Sequence, residues 1–568
     1  MKINNKIYNI ILLSFCAVGI LGYMGCKKYN NPPAIYQELK NLTVGQRKVL
    51  VISIDGLTGS ELQTVAPTNI ATLQKNSKYS YNTLKTASDA AGWVSMLTGT
   101  GFSKHQISND NFERTQDPNS DDHAAIVSYR NVFDYVTQYK SVKTALVTPW
   151  ANLRSYMRNA DFLPVVSTDL AVKDSTVNIL TNQAGLGIMF VNFREVEAAG
   201  ANGGFIATNT NYKNAIVKAD EYVGNILTAL KARKNFANED WLVVVTSNHG
   251  GSSANPTNGF TLAYNPAFKP FELKKSGFNP VLFSTTSSKA EVPADNSLYD
   301  VGDTKSITVQ MDVKFNSTNV NYPTFFSKST NLTGSNITGW QWGHYGDKWL
   351  VTVGGSANGG SGKQEIVATT APGTDWHTLT MSINTTVNAQ GVATARSLKV
   401  YTDGKLEATA DILAKKSLTT SELLRVGHRK GDTDTPTPFY GANLSFFNVA
   451  LSDAVIKANV GLKDITQHPN YANLVGFWPM DEGTEGTFFN KAPVGYNMSL
   501  SGVYNWVNLA ALFPPGTTPE PVTSSLSIPS TVSDISALTM YWMNINILPD
   551  FGFDGKPYLK NFEIEFLK

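Results

Sequence analysis

Between Lys48 and Gly251 the chain alternates two hydrophobic textures. The stretch KVLVISIDGL (48–57) is an almost unbroken apolar run ending in Asp-Gly, and GIMFVNF (187–193) and WLVVVTSNHGG (241–251) repeat the pattern. Unbroken runs are expected of strands covered on both faces, as in parallel sheets. Between the last two, residues 211–234 place Ala215, Ile216, Ala219, Val223, Ile226, Leu227 and Leu230 at the spacing of one helix face. Strand, helix and strand in this order predict a doubly wound α/β sheet, whose sites form beyond the carboxyl ends of the strands. Asp55 and the pair Asn248–His249 stand at such ends.

From about residue 285 the period changes to two. KSITVQMDVKF (305–315), DWHTLTMSIN (375–384), SLKVYTDGKLEATA (397–410) and GANLSFFNVALSD (441–453) alternate, with Gly, Asn, Asp and Thr turns between them. Asp403-Gly404 is a tight-hairpin signal. The series predicts an all-β sandwich of two antiparallel sheets over 285–512. A linker rich in Pro and Thr follows (513–527), and 528–568 returns to a helical apolar pattern.

Composition narrows the classes. Apolar residues at 42% and charged residues at 16% exclude a disordered chain. A net charge of +2 gives no electrostatic case for nucleic acid. At the N-terminus, Lys2 and Lys6 precede an apolar run, Ile10 to Gly22, of signal-peptide length and too short to span a bilayer. The run leads to Gly25-Cys26, which resembles a bacterial lipoprotein signal. The resemblance implies removal of residues 1–26 up to a lipidated Cys26, a polar tether over 27–46, and attachment to membrane through the lipid alone. Lys27 at the second mature position favours the outer membrane, facing periplasm or surface. An ordinary signal peptide with a chance Cys is the alternative. With Cys16 removed, Cys26 is the only mature cysteine, so no intramolecular disulfide forms.

Four segments, VISIDGL, TASDAAGWVSMLTGTGFSKHQI (86–107), FVNFREVEAAGANGGF (190–205) and VVVTSNHGG (243–251), together resemble the type I phosphodiesterase/nucleotide pyrophosphatase branch of the alkaline phosphatase superfamily. VSDISALTMYWMNINILPDFGFDGKPYL (532–559) is similar to the closing helix and turn of those hydrolases, which implies one α/β domain begun at 47–283 and closed at 528–568, with the sandwich inserted in a surface loop. The alternating region, with LVGFWPMDEGTEGTFFNKAP (474–493), resembles laminin-G/concanavalin-like jelly rolls, although the GFWPMDEG strand falls late here. The first resemblance implies phosphoryl transfer by two divalent metals, usually zinc, that activate a Thr or Ser nucleophile and are held by Asp and His.

Carried over residue by residue, the pattern is incomplete. Asp55 matches the first-strand Asp, and Asp89 stands at the nucleophile position. Glu197 and Ala201 replace an Asp and a His, and Asn248 and His249 match the last Asp-His pair. A third His is missing from GSSANPTNG (251–259). The surviving set, Asp55, Asp89, Glu197, Asn248 and His249, does not suffice for two tetrahedral zinc sites. It could hold one calcium or magnesium ion through oxygens, or it is a remnant that caps strand ends. His105 reads as loop packing, and His123 with Asp121–Asp122 as an exposed acidic loop. Trp340, Trp342, Trp349, Trp376 and Tyr401 read first as sandwich core and second as faces for sugar rings. Two functions stay open. One is an envelope pseudoenzyme that binds a glycan or an envelope protein. The other is a metal-dependent phosphoric- or sulfuric-ester hydrolase with altered ligands, targeted by its lectin-like domain. A purely structural surface protein is a third reading.

Overall fold

The computed structural model describes residues 46–114, 128–317, 320–330, 336–355, 362–429, 431, 434–517 and 526–566. Cys26, Asp121, Asp122, His123 and residues 518–525 of the linker lie outside the described residues.

The first sheet has strands β1 (Gln46–Ile54), β2 (Ser77–Thr83), β3 (Lys143–Val147), β4 (Leu186–Phe193), β5 (Glu239–Thr246), β6 (Gly259–Tyr264) and β7 (Phe271–Glu272), in spatial order β3-β4-β1-β5-β6-β2-β7. β3, β4, β1 and β5 are parallel; β6 runs antiparallel to β5 and to β2. The unbroken apolar runs fall on β1, β4 and β5 for a physical reason. Val49, Val51, Ile188, Phe190, Leu242 and Val244 point into one core, and Leu50, Ile52, Met189, Val191, Val243 and Val245 into the other. Both faces are buried, so both parities of each strand must be apolar. This is the α/β class that the pattern predicts.

Helices cover each face. α1 (Asp89–Thr98) lies on the first core, and α2 (Asp169–Asn182) and α4 (Thr210–Lys231) on the second. The short α3 (Glu195–Ala201) follows β4. The end of the chain returns to the first core: α5 (Asp534–Trp542) and the turns after it place Ile535, Leu538, Met540, Trp542, Phe551 and Leu559 against β1 and α1 residues. Ser536 Oγ donates to the Met96 carbonyl (2.7 Å). The Asp554 carboxylate accepts from the Gly101 N–H (2.8 Å) and pairs with Lys104 (2.6 Å).

Residues 281–506 form two eight-stranded antiparallel sheets. Strands Ile307–Phe315, Trp376–Val387 and Phe439–Phe447 centre one sheet, and Val320–Ser329 with Gly339–Gly346 the other. Asp403 (φ 51°) and Gly404 (φ 74°) both adopt left-handed backbone between strands Ala393–Thr402 and Lys405–Asp411, as a two-residue hairpin demands. Trp340, Trp342 and Trp349 are wholly buried between the sheets, so they are core. Tyr401 is buried in a side cluster with Phe447. Trp376 is half-buried, its indole edge-on to Phe278.

The loop 479–486 joins the two bodies. Lys275 pairs with Asp481 (2.5 Å), and Ser533 Oγ donates to the buried Glu485 carboxyl (2.9 Å). Burial pushes Glu485 and Asp534 each up to about 7. Among the described residues, no helix is long and apolar enough to cross a membrane.

Candidate functional site

The topology dictates where chemistry gathers. β4, β1 and β5 are neighbours and parallel, so the loops that follow them, carrying Arg194, Asp55 and Asn248–His249, emerge side by side. α1 adds Asp89 at its first turn, beside the capping Ser88, whose hydroxyl accepts from the Ala91 N–H (3.2 Å). Two glycines permit the close approach. A Cβ on Gly56 would lie 2.7 Å from the Glu197 Cβ, and one on Gly92 would lie 2.8 Å from the Asn248 carbonyl oxygen.

Asp89 is the hub. Its Oδ2 lies 2.6 Å from Arg194 Nη2 and its Oδ1 lies 2.7 Å from His249 Nε2. Asn248 Nδ2 donates to the same Oδ1 (2.8 Å), and the Asp89 N–H donates to Ser253 Oγ (3.0 Å). The Arg194 guanidinium also reaches Glu197 Oε2 (3.1 Å) and stacks over the Trp150 ring at 4.3 Å. Asn248 Oδ1 takes the N–H groups of His249 (2.8 Å) and Gly56 (3.3 Å). Asp55 is wholly buried and accepts from Ser53 Oγ (2.8 Å), Trp93 Nε1 (3.1 Å) and Asn192 Nδ2 (2.8 Å). The structure thus joins Asp89, Asn248 and His249 directly, and Glu197 through Arg194. It seats Asp55 beside them on partners of its own. His105 lies apart, donating from Nε2 to Ser95 Oγ (2.9 Å) while Nδ1 accepts the Ile107 N–H; burial lowers it to about 3.

The charges are tuned by this arrangement. Burial alone would raise Asp89, but His249, Arg194 and Asn248 outweigh it and hold the carboxyl below its ordinary range. Burial would lower His249, yet the Asp89 carboxylate beside it wins and raises it. Burial raises Asp55, and Asp89's charge adds to this, against the Arg194 charge and the donors around it. Glu197 is pushed up to about 7 by burial and by the charges of Asp89 and Asp55. Asp169, which accepts the N–H groups of Arg194 (2.9 Å) and Glu195 (2.9 Å), is raised to about 7 by burial. A cavity of about 310 Å³ beside Trp150, Thr168, Asp169 and Arg194 opens next to the cluster.

Sequence reasoning missed Arg194, Asn192, Trp93, Ser253 and Asp169. The signal for Arg194 stands in FVNFREVEAAG: a basic residue directly after a buried strand that ends at the site.

Residues 49–285 match the family model of type I phosphodiesterase/nucleotide pyrophosphatase. This part of the chain belongs to the alkaline phosphatase superfamily. Residues 464–559 match a second family model, a domain of unknown function, which spans the last sandwich strands, the 479–486 joint and α5 of the phosphodiesterase-like domain. No curated protein is similar enough to match. Among solved structures, a 2-O GAG sulfatase is similar over 39% of this chain and 65% of its own, at 12% identity and TM-score 0.30. The binding domain of botulinum neurotoxin DC in complex with SialylT overlaps 27% of this chain and 35% of its own, at 18% identity and TM-score 0.21. The same toxin's binding domain in complex with rat synaptotagmin II overlaps 35% and 44%, at 18% identity and TM-score 0.24. The chain thus spans between about a third and two thirds of these structures' own lengths.

The two zinc ions of this superfamily do not fit the side chains present in the phosphodiesterase-like domain. A tetrahedral zinc site needs several anionic or imidazole donors free to point at one centre. Here the Asp89 oxygens are taken by Arg194, His249 and Asn248, and those of Asp55 by Ser53, Trp93 and Asn192. A guanidinium, which donates and never ligates, stands between Asp89 and Glu197. Among the described residues, no group of three or more His, Cys, Asp or Glu is arranged to hold a metal ion.

Proposed function

We propose that the protein is an envelope lipoprotein whose phosphodiesterase-like domain has become a binding scaffold, with Arg194 as a built-in cation in place of the family's metals. The observation that carries this reading is the double ion pair of Arg194 with Asp89 and Glu197. It neutralises the carboxylate at the nucleophile position permanently, and no movable ion is needed to do so. A carboxylate held by a guanidinium and an imidazole is a poor attacking group on a phosphodiester, and the Ser253 hydroxyl beside it is engaged by the Asp89 N–H (3.0 Å). The same reading replaces the single calcium or magnesium ion considered for the surviving oxygens.

The lipid anchor at Cys26, and with it the outer-membrane location, rests on Lys2, Lys6, the apolar run and Gly25-Cys26. The partner in this reading is a glycan or an envelope protein. The test of the scaffold is turnover of nitrophenyl phosphodiesters by the purified chain with added zinc, magnesium or calcium. The expected outcome is no rate above solvent. Turnover that Asp55→Ala abolishes would overturn the reading and favour an ester hydrolase. Cys26→Ser is expected to release the protein from the membrane fraction.

A further inference from the structure

A second cavity lies away from the Asp89 cluster. It lies where the inserted sandwich meets the α/β domain and measures about 470 Å³. One wall is the loop after β2, with Leu84 and Lys85; the opposite wall is the sandwich segment 479–491, with Asp481, Glu482, Phe489 and Lys491. The walls come from sequence positions far apart, so the cavity exists only because the sandwich is inserted.

The charges in it are not mutually satisfied. Of four lysines that line the cavity, Lys274 pairs with Glu272 (2.9 Å) and Lys275 with Asp481 (2.5 Å). Lys85 and Lys491 have no carboxylate within ion-pair distance among the described residues. The Lys85 ammonium instead sits over the Phe489 ring, 5.0 Å from its centroid. Burial lowers the Lys85 pKa and the Lys491 charge lowers it further, against the weaker pull of the Glu482 carboxyl. Two ammonium groups without an ion-pair partner among the described residues, which feel one another and the Glu482 carboxyl across a half-enclosed space, leave a place for an anion between them. Glu482 adds a second requirement. Its carboxyl accepts the Phe489 N–H (3.0 Å) through one oxygen, while the other, Oε2, is buried and has no hydrogen-bond partner among the described residues. Burial pushes this acid up to about 7, so near neutrality it both donates and accepts. A buried polar atom of this kind is costly unless something fills its need. A hydroxyl group, which also donates and accepts, fits it in either state. Phe489 supplies an apolar face on the same wall.

From these groups we infer that the cavity between the two domains binds a small acidic sugar, an oxyanion carried on a hydroxylated ring. Lys85 and Lys491 take the oxyanion, Glu482 takes a ring hydroxyl, and Phe489 lies along the apolar side of the ring. The volume is ample for a monosaccharide unit, within the range of small-molecule sites. This site is independent of the Asp89 cluster: it keeps its groups whether or not that cluster turns anything over. It is also adjacent to it, because Lys85 starts the segment through Thr86, whose hydroxyl reaches the Asn248 carbonyl (3.4 Å), to Asp89.

The test is calorimetric titration of the full chain with glucuronate, glucose 6-phosphate, inorganic phosphate and glucose, at low and moderate salt. The expected result is saturable binding of glucuronate or glucose 6-phosphate, weakened by salt and tenfold or more tighter than glucose. Lys85→Ala and Lys491→Ala should each weaken it at least tenfold, and Glu482→Leu should narrow the preference for glucose 6-phosphate over inorganic phosphate. A preference for glucuronate assigns a carboxylated sugar; one for glucose 6-phosphate assigns a phosphorylated sugar. Inorganic phosphate binding as tightly as glucose 6-phosphate would overturn the role of the ring. Acidic sugars that fail to bind, or that bind both lysine variants as they bind the wild type, would overturn the site. Lys491 is exposed, so its variant keeps the test usable should Lys85→Ala disturb folding.

Discussion

Two charged regions of this molecule face opposite ways energetically. At the carboxyl ends of β1, β4 and β5, each oxygen of Asp89 and Asp55 has a donor, and the guanidinium of Arg194 closes the set. At the joint between the domains, Lys85 and Lys491 lack carboxylate partners among the described residues and Glu482 Oε2 has no hydrogen bond. The first region is satisfied within the chain and has little left to offer a ligand. The second is unsatisfied and electrostatically biased. In the phosphodiesterase-like domain the centre at the strand ends is filled by the chain's own side chains, and the joint between the domains carries the groups that lack partners among the described residues.

The comparison is tested most severely at Arg194. Arg194→Ala leaves Asp89, Glu197 and Asp55 without their shared cation. Removing one partner of a largely buried ion pair costs roughly 3–5 kcal/mol; with Arg194 at 28% exposure, a loss of about 2–4 kcal/mol is expected in chemical denaturation. Calcium or magnesium should recover part of this loss in the variant while leaving the wild type unmoved. Wild-type stability that depends on either cation would return the metal to the site. The parallel change at the joint, Lys85→Ala, should alter stability by no more than about 0.5 kcal/mol, because no ion pair is lost.

Smaller effects follow from pH. Glu197 titrates near 7 in the folded chain against an ordinary 4.5, so the folded state holds the extra proton between those values. Stability from this group therefore rises as pH falls from about 7 towards 4.5. Glu197→Gln should stabilise the protein at pH 8 by about 1 kcal/mol and leave it nearly unchanged at pH 5. His249 has the opposite chemistry and the same sign. Its pKa is raised above 6.5, so its pairing with Asp89 is fully present below 6.5 and lost as pH rises through the folded value. His249→Gln should thus cost more at pH 6 than at pH 9, by something on the order of 1 kcal/mol or less. Equal costs at the two pH values would mean that the imidazole is neutral throughout.

The sheet was legible because burial on two faces forces both parities of β1, β4 and β5 to be apolar, and few other arrangements write that signature. Asp55, Asn248 and His249 could be placed because they follow buried strands, whereas Asp89 was reached only through the resemblance of residues 86–107 to the phosphodiesterase family. Arg194 escaped notice because a search for ligands interrogates Asp and His positions, and a substitute cation can arrive from any neighbouring loop. Trp340 and Trp342 show a subtler limit. Their spacing states that they share one face of a strand, but which face lies inward depends on the facing sheet. The joint was invisible for a stronger reason. Lys85 and Lys491 come together only through the path of the inserted domain, which no local pattern encodes.

The return of the chain to its first core sets a schedule. Val49, Val51, Ile188, Phe190 and Leu242 are complete as soon as β5 has been synthesised, yet their cover includes Ile535, Leu538, Trp542 and Leu559. Residues 286–527 must be made in between, and at roughly 5–20 residues per second this takes on the order of tens of seconds. During that interval the sandwich, continuous in sequence from 281 to 506, can close by itself while the older half waits with a greasy sheet face open to water. The α/β half that is made first is therefore the last to mature, and any slowing of translation lengthens the time in which it can stick to its neighbours.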